Sequence, residues 1–254
     1  GYHLPSLEDI EEKISPRTKA ILLCNPNNPT GTVFNRKEIE ALASLCKKHG
    51  LFYLSDEAYR EFIYEGEHFS VMHLEGLDEQ AVLLDSFSKR LSLCGARVGY
   101  VASKNKQIME VALKLGQARL CSPTLEQHGV VAALKSGEAF FTQIREEFKR
   151  RRDVTYEELM KIPGAVCVRP SGAFYIMAKL PVPDIEDFAS WLLTDFNLDG
   201  ETTMIAPGPG FYATSGLGKS EARIAYVLNT SDLKKAMRIL AKGIEVYSAQ
   251  KVKV

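Results

Sequence analysis

The stretch "KAILLCNPNNPTGTVFNRKEIEALASLCKKHGLFYLSDEAY", residues 19–59, decides the fold. "KAILLC" (19–24) is a short apolar run of the kind that fills a buried strand, closed by the turn formers Asn and Pro. "RKEIEALASLCKKHG" (36–50) places Ile39, Leu42, Ala43 and Cys46 at helical spacing on one face, and Gly50 stands where a helix stops. "LFYLSDEAY" (51–59) is apolar again and reads as the next strand. Strand, helix and strand in that order make a βαβ unit, which implies parallel pairing and a right-handed crossover.

Outward from this unit the alternation continues. A third strand is expected at about 82–87 and a fourth at about 97–102, within "VLLDSFSKRLSLCGARVGYV" (82–101). Fewer than ten residues separate Lys89 from Val98, too few for a parallel return, so the fourth strand is expected to run antiparallel. Helices follow at about 105–117, at 123–135, opened by Ser122 and Pro123, and at about 138–161, the last long enough to join two domains. Beyond "IPG" (162–164) the pieces are shorter and mixed: a strand "GAFYIMAKL", a helix "DIEDFASWLLTDF", a strand around "ARIAYVL" and a last helix from Ser231. The expected fold class is α/β. A three-layer α/β/α domain with a mostly parallel sheet covers 1–150, including the linking helix, and a smaller C-terminal α+β domain covers 151–254.

Composition narrows the function. The 254 residues carry 32 basic and 32 acidic side chains and a net charge of zero. No basic field suggests nucleic acid and no acidic run suggests a solvating tail, which leaves small molecules as the expected partners. Five cysteines (Cys24, Cys46, Cys94, Cys121, Cys167) are odd in number and widely spaced. That argues against a disulfide framework or a zinc site and for a reducing, cytoplasmic compartment. No apolar run approaches the ~20 residues of a membrane helix, so no membrane partner is expected, and no signal peptide is visible. The opening "GYHLPSLEDI", without methionine, reads as part of a longer chain.

The chemistry gathers where strands end. In open α/β sheets ligands bind beyond the carboxyl ends of the strands. "NPNNPTG" (25–31) follows the first strand, Asp56 and Tyr59 end the second, and Ser86, Ser88 and Lys89 end the third. Taken alone, each has a plain reading: a surface lysine, a turn aspartate, an asparagine before proline. An arginine entering the apolar run "EARIAYVL", Arg223, is costly unless paired, which points to a ligand or a buried ion pair.

Together "NPNNPTG", "DEAY", "SFSK", "GARVGY" and "ARIAY" resemble the pyridoxal-phosphate-dependent aminotransferases of fold type I, the class I/II group that includes aspartate aminotransferases. The resemblance runs along essentially the whole chain. It implies pyridoxal 5'-phosphate as cofactor and amino-group transfer between an amino acid and a 2-oxo acid by ping-pong chemistry. Lys89 would form the internal Schiff base and then move a proton between two carbons. Asp56, rather than the neighbouring Glu57, would pair with the pyridine nitrogen. Tyr59 and Asn28 would donate to the ring's phenolate oxygen. Ser86, Ser88 and Arg97 would make half of a phosphate cup, for which hydroxyls and a guanidinium fork are suited. Arg223 would grip the substrate α-carboxylate, with Asn28 beside the substrate. The Asn28–Pro29 bond resembles a cis turn. The loop "APGPGFYATSGLG" (206–218) reads as a mobile wall of the site, its Tyr212 a packing residue.

Relatives of this kind carry, ahead of the segment matching Gly1, an arm, the first strands of the large domain, a phosphate-binding turn and an aromatic that stacks on the cofactor ring. The chain therefore reads as an aminotransferase lacking its N-terminal third, with its large domain truncated, from a parent that the resemblance makes a homodimer. Arg119, in "GQARLCSP", falls near where some relatives read a second carboxylate and inclines the substrate toward aspartate or glutamate, while a solvent-facing helix-end arginine fits equally. Two other readings stand beside transamination: a pyridoxal-phosphate-dependent β-lyase on the same scaffold, and a non-catalytic fragment.

Overall fold

The computed structural model describes residues 2–251. The chain divides into two compact units. One takes the residues up to Asn28, Thr32–Arg145 and Ser171–Ala173; the other takes Pro29–Gly31, Glu146–Pro170 and the residues from Phe174 on.

In the first unit a short helix α1 (Leu7–Glu11) precedes β1 (Ala20–Cys24), α2 (Arg36–His49), β2 (Phe52–Asp56), β3 (Ala81–Ser86), a four-residue helix α3 (Phe87–Arg90) and β4 (Gly99–Ala102). The sheet order is β1-β2-β3-β4, with the first two pairings parallel and the last antiparallel. The mostly parallel α/β sheet read from the sequence is thus present. The register sets Cys24 opposite Asp56 and Asp56 opposite Leu84, which brings three strand ends to one edge. Gly99 permits the tight approach of β4: a Cβ there would lie 2.7 Å from the Asp85 carbonyl oxygen.

The helix α2 begins with a capping box between Asn35 and Glu38 and ends at Gly50, whose φ of 63° is left-handed. Its Ile39, Leu42, Ala43 and Cys46 are all buried, with Leu45 beside them. They pack against Leu23, Tyr53, Ala81 and Leu83 of the sheet and against Val71, Leu74 and Leu77. Each Leu, Ile or Val side chain among them contributes about 1.5–3 kcal/mol on burial. On the other face Leu22 is 61% exposed and Phe52 39% exposed. After β4 come α4 (Lys106–Arg119), α5 (Thr124–Leu134) and α6 (Glu138–Leu159).

The second unit holds a four-stranded antiparallel sheet in the order β5 (Val166–Cys167), β6 (Tyr175–Lys179), β8 (Glu221–Ala225), β7 (Ala206–Pro207). The helices α7 (Ile185–Thr194) and α8 (Thr230–Lys251) complete it. Burial of β8 alternates, with Ala222 and Ile224 inward.

Two expectations need correction. The second strand stops at Asp56, and Tyr59 lies beyond it in a turn closed by Arg60 N–H to Glu57 O and Phe62 N–H to Tyr59 O. The cis bond is Asn25–Pro26 and not Asn28–Pro29; both are X-Pro bonds with the same small cis penalty, so sequence cannot rank them. β3 and β4 are joined by α3 followed by a 3-10 turn at Cys94–Ala96.

Candidate active site

The first candidate residues sit where β1 ends. Asn25 is buried, and its amide exchanges two hydrogen bonds with the main chain of Phe34: Nδ2 donates to O at 3.2 Å and Oδ1 accepts from N at 2.9 Å. That side chain stands in for a neighbouring strand and fixes the 25–34 turn. Asn27 donates to Cys24 O at 3.3 Å, and half-buried Asn28 follows it in the same turn.

At the end of β2 two adjacent carboxylates go separate ways. Asp56 is half-buried and its Oδ1 accepts the Ala58 N–H at 3.1 Å, which starts the turn to Tyr59. Across the register the thiol of Cys24 is pushed up to about 12, by burial first and then by the charge of Asp56. Glu57 turns inward and its side chain has no exposed surface. Its Oε1 accepts from Ser55 Oγ at 3.1 Å, Ser70 Oγ at 2.9 Å and Val71 N at 2.9 Å, while Oε2 lies 2.8 Å from His68 Nε2. Burial alone raises a carboxyl pKa, but the bond and charge of His68, with the donors from Val71 and Ser70, outweigh it and hold Glu57 below its ordinary value. Sequence reasoning set Glu57 aside. The pairing rests on a contact eleven residues apart, which no periodicity announces.

Lys89 rides on α3, half-buried. Its Nζ lies 5.9 Å from the centre of the buried Tyr59 ring. Ser86 caps α3, accepting the Ser88 N–H at 3.1 Å and donating its own hydroxyl to Ser88 Oγ at 2.9 Å. The two hydroxyls thus form a pair at the helix start. Arg97 is exposed, left-handed at φ 55°, and its Nη1 donates to Cys94 O at 2.8 Å. Asp56, Tyr59, Ser86, Ser88 and Lys89 are carried by the adjoining ends of β2 and β3.

Arg223 belongs to the second unit. It is half-buried on β8, opposite Met177 and Ala206, with its guanidinium carbon 4.6 Å from the Tyr175 ring centre and 4.9 Å from that of Phe211. Tyr212 donates to Glu221, in keeping with a packing role, and Gly208 N–H bonds Glu221 O at 2.7 Å, which anchors the start of the 206–218 loop. Arg119 is exposed in the last turn of α4, the position of a helix-end arginine. Among the described residues no group of His, Cys, Asp and Glu is arranged to hold a metal ion, and no helix is long and apolar enough to cross a membrane.

Comparison with known proteins gives one consistent result. A model described as aminotransferase class I and II matches residues 3–240. A probable aspartate/prephenate aminotransferase of Aquifex aeolicus is 35% identical over 96% of this chain and 62% of its own length. An aspartate aminotransferase of Sulfurisphaera tokodaii is 34% identical over 97% of this chain and 61% of its own. Among solved structures, the aspartate aminotransferase of Thermus thermophilus with maleate superposes with a TM-score of 0.83 at 32% identity, over 94% of this chain and 60% of that one. The chain spans about three fifths of the length of these relatives.

Proposed function

The chain belongs to the aminotransferase class I and II family, whose members depend on pyridoxal phosphate, and from that membership we propose that it takes part in amino-group transfer between an amino acid and a 2-oxo acid. The observation that carries the reading is Lys89: a half-buried amine on a capped helix turn beside a buried tyrosine ring. The donor set suits the cofactor. It offers one amine, a carboxylate at the end of β2, a phenol, and a hydroxyl pair 2.9 Å apart at a helix start.

Pyridoxal phosphate, when bound, supplies a carbonyl that exchanges the amino group and a ring that accepts an electron pair. The residues have separate tasks in this proposal. Lys89 Nζ would hold the carbonyl carbon and afterwards move a proton; Asp56 would keep the ring nitrogen protonated; Tyr59 and Asn28 would orient the ring. Ser86, Ser88 and Arg97 would hold the phosphate; the guanidinium of Arg97 keeps donors beyond the one given to Cys94 O. Arg223, flanked by two rings that fix its plane, takes the substrate α-carboxylate through two parallel bonds, a task a lysine point charge performs poorly. Aspartate or glutamate is the proposed amino donor, on the strength of relatives named aspartate aminotransferases. A homodimer of the longer protein belongs to the same reading, and its mass in solution tests that part.

The experiment is reductive trapping. The chain is mixed with pyridoxal 5'-phosphate, reduced with borohydride and mapped by peptide mass. A pyridoxyl group on Lys89 is expected, and a label on Lys104 or Lys106 with Lys89 unmodified overturns the site. In a full-length active parent, R223K is expected to keep the Lys89 label and to lower kcat/KM with every amino acid tested, by roughly a hundredfold. Release of pyruvate and ammonia without an acceptor oxo acid assigns a lyase instead.

A further inference from the structure

Four charged residues that the proposed chemistry does not use lie directly beside the ones it does. Asp85 and Arg90 flank the Ser86–Lys89 stretch, and Arg60 and Glu61 follow Tyr59. The Asp85 side chain has no exposed surface and that of Arg90 is 2% exposed. Oδ2 of Asp85 accepts from Arg90 Nη2 at 2.9 Å and from the Tyr100 hydroxyl at 2.7 Å, and Oδ1 accepts the Ser86 N–H at 2.6 Å. The register places Asp85 directly opposite Tyr100 on β4. The second pair crosses between the two turns. Arg60 Nη1 lies 3.6 Å from Asp85 Oδ2, Arg90 Nη1 lies 3.9 Å from Glu61 Oε1, and Arg60 Nε lies 3.6 Å from Glu61 Oε1. The guanidinium of Arg90 stacks over Phe87, 4.6 Å from its centre.

We propose that Arg60, Glu61, Asp85 and Arg90 are positioning residues, a charge-neutral brace that ties the turn carrying Tyr59 to the helix carrying Lys89 and so sets the place of the Lys89 amine. The proposal rests on the reading of Lys89 as the cofactor-holding residue. Hydrophobic side chains fill such a space at lower cost, because two charges must be desolvated before they attract. What charges give instead is register: each guanidinium reaches one carboxylate of its own turn or strand and one from the other turn. Burying Asp85 at the start of α3 and Arg90 at its end also closes a four-residue helix too short to hold its own shape.

Reductive trapping at Lys89 tests this on the intact chain, with melting temperature measured beside it. Loosening the brace moves the amine from its place and lowers the labelling rate by roughly tenfold in D85N, E61Q and R90M. A brace that only stiffens the fold lowers melting temperature in all variants and leaves the labelling rate of the folded chain unchanged. Should R90M fail to fold, D85N, which is isosteric, and E61Q, at a side chain 22% exposed, carry the test. Folded D85N and E61Q that label like the wild type overturn the brace and leave the transaminase reading standing. A wild-type chain that takes no label on Lys89 overturns both.

Discussion

At the scale of single residues, the pair Asp56 and Glu57 shows how neighbours in sequence acquire opposite tasks. Side chains alternate along a strand, so one carboxylate faces the strand-end crevice and the next faces the core. Glu57 is held charged by His68, Ser55, Ser70 and Val71. Replacing it with glutamine removes charge-assisted bonds and is expected to cost about 1.5–3 kcal/mol at neutral pH, read from chemical denaturation. The pH dependence has a definite sign. The folded-state pKa lies below the ordinary 4.5, so the stabilisation is complete above that value and is lost as pH falls below it. Across that acidic window the stability of E57Q falls less steeply than wild type, by up to about 1.4 kcal/mol per pH unit. Equal slopes show that the carboxylate is not held in its charged form. The residues proposed for chemistry could be named from sequence because they stand in recognisable short strings. Glu57, Asp85 and Arg90 were not, since a charged residue in sequence reads as solvated and only the three-dimensional pairing buries it.

Secondary-structure elements follow the same division. The face of α2 was legible except for Leu45, because period 3.6 and a terminal glycine are local signals, and the antiparallel sense of β4 followed from counting residues between Lys89 and Val98. The two-residue strands β5 and β7 show no period at all, and only the neighbouring strands β6 and β8 define them. The position of the cis bond was equally beyond sequence, since Asn25–Pro26 and Asn28–Pro29 differ only in their surroundings. For α2 the expected cost of removing its ends is specific. N35A loses the cap bond that its Oδ1 accepts from the Glu38 N–H, and G50A places a Cβ on a left-handed residue, each destabilising by about 1 kcal/mol. The two sites lie at opposite ends of the helix, so their effects on a denaturation midpoint are expected to add. A midpoint unchanged in N35A contradicts the account of how the crossover helix begins.

At the scale of the whole molecule, α6 is the informative element, for one of the points where the chain passes from the first unit to the second falls at Arg145 and Glu146, inside this 22-residue helix. A junction of that kind differs from an ordinary linker in its chemistry toward proteases. Trypsin needs several residues in extended form, and it finds four consecutive basic residues, Lys149–Arg152, on the helix just past the division. Their bonds hold the backbone in place: Arg150 and Arg151 each pair with Glu147, and Arg152 is buried against Pro170 O. Lys135, by contrast, is exposed in the short turn between α5 and α6. Brief digestion is therefore expected to produce fragments beginning at Ser136 before any that begin within 150–153, followed by mass spectrometry over time. The richest run of cleavage signals in the chain would then be among its slowest to be cut, and the first scission would leave α6 whole.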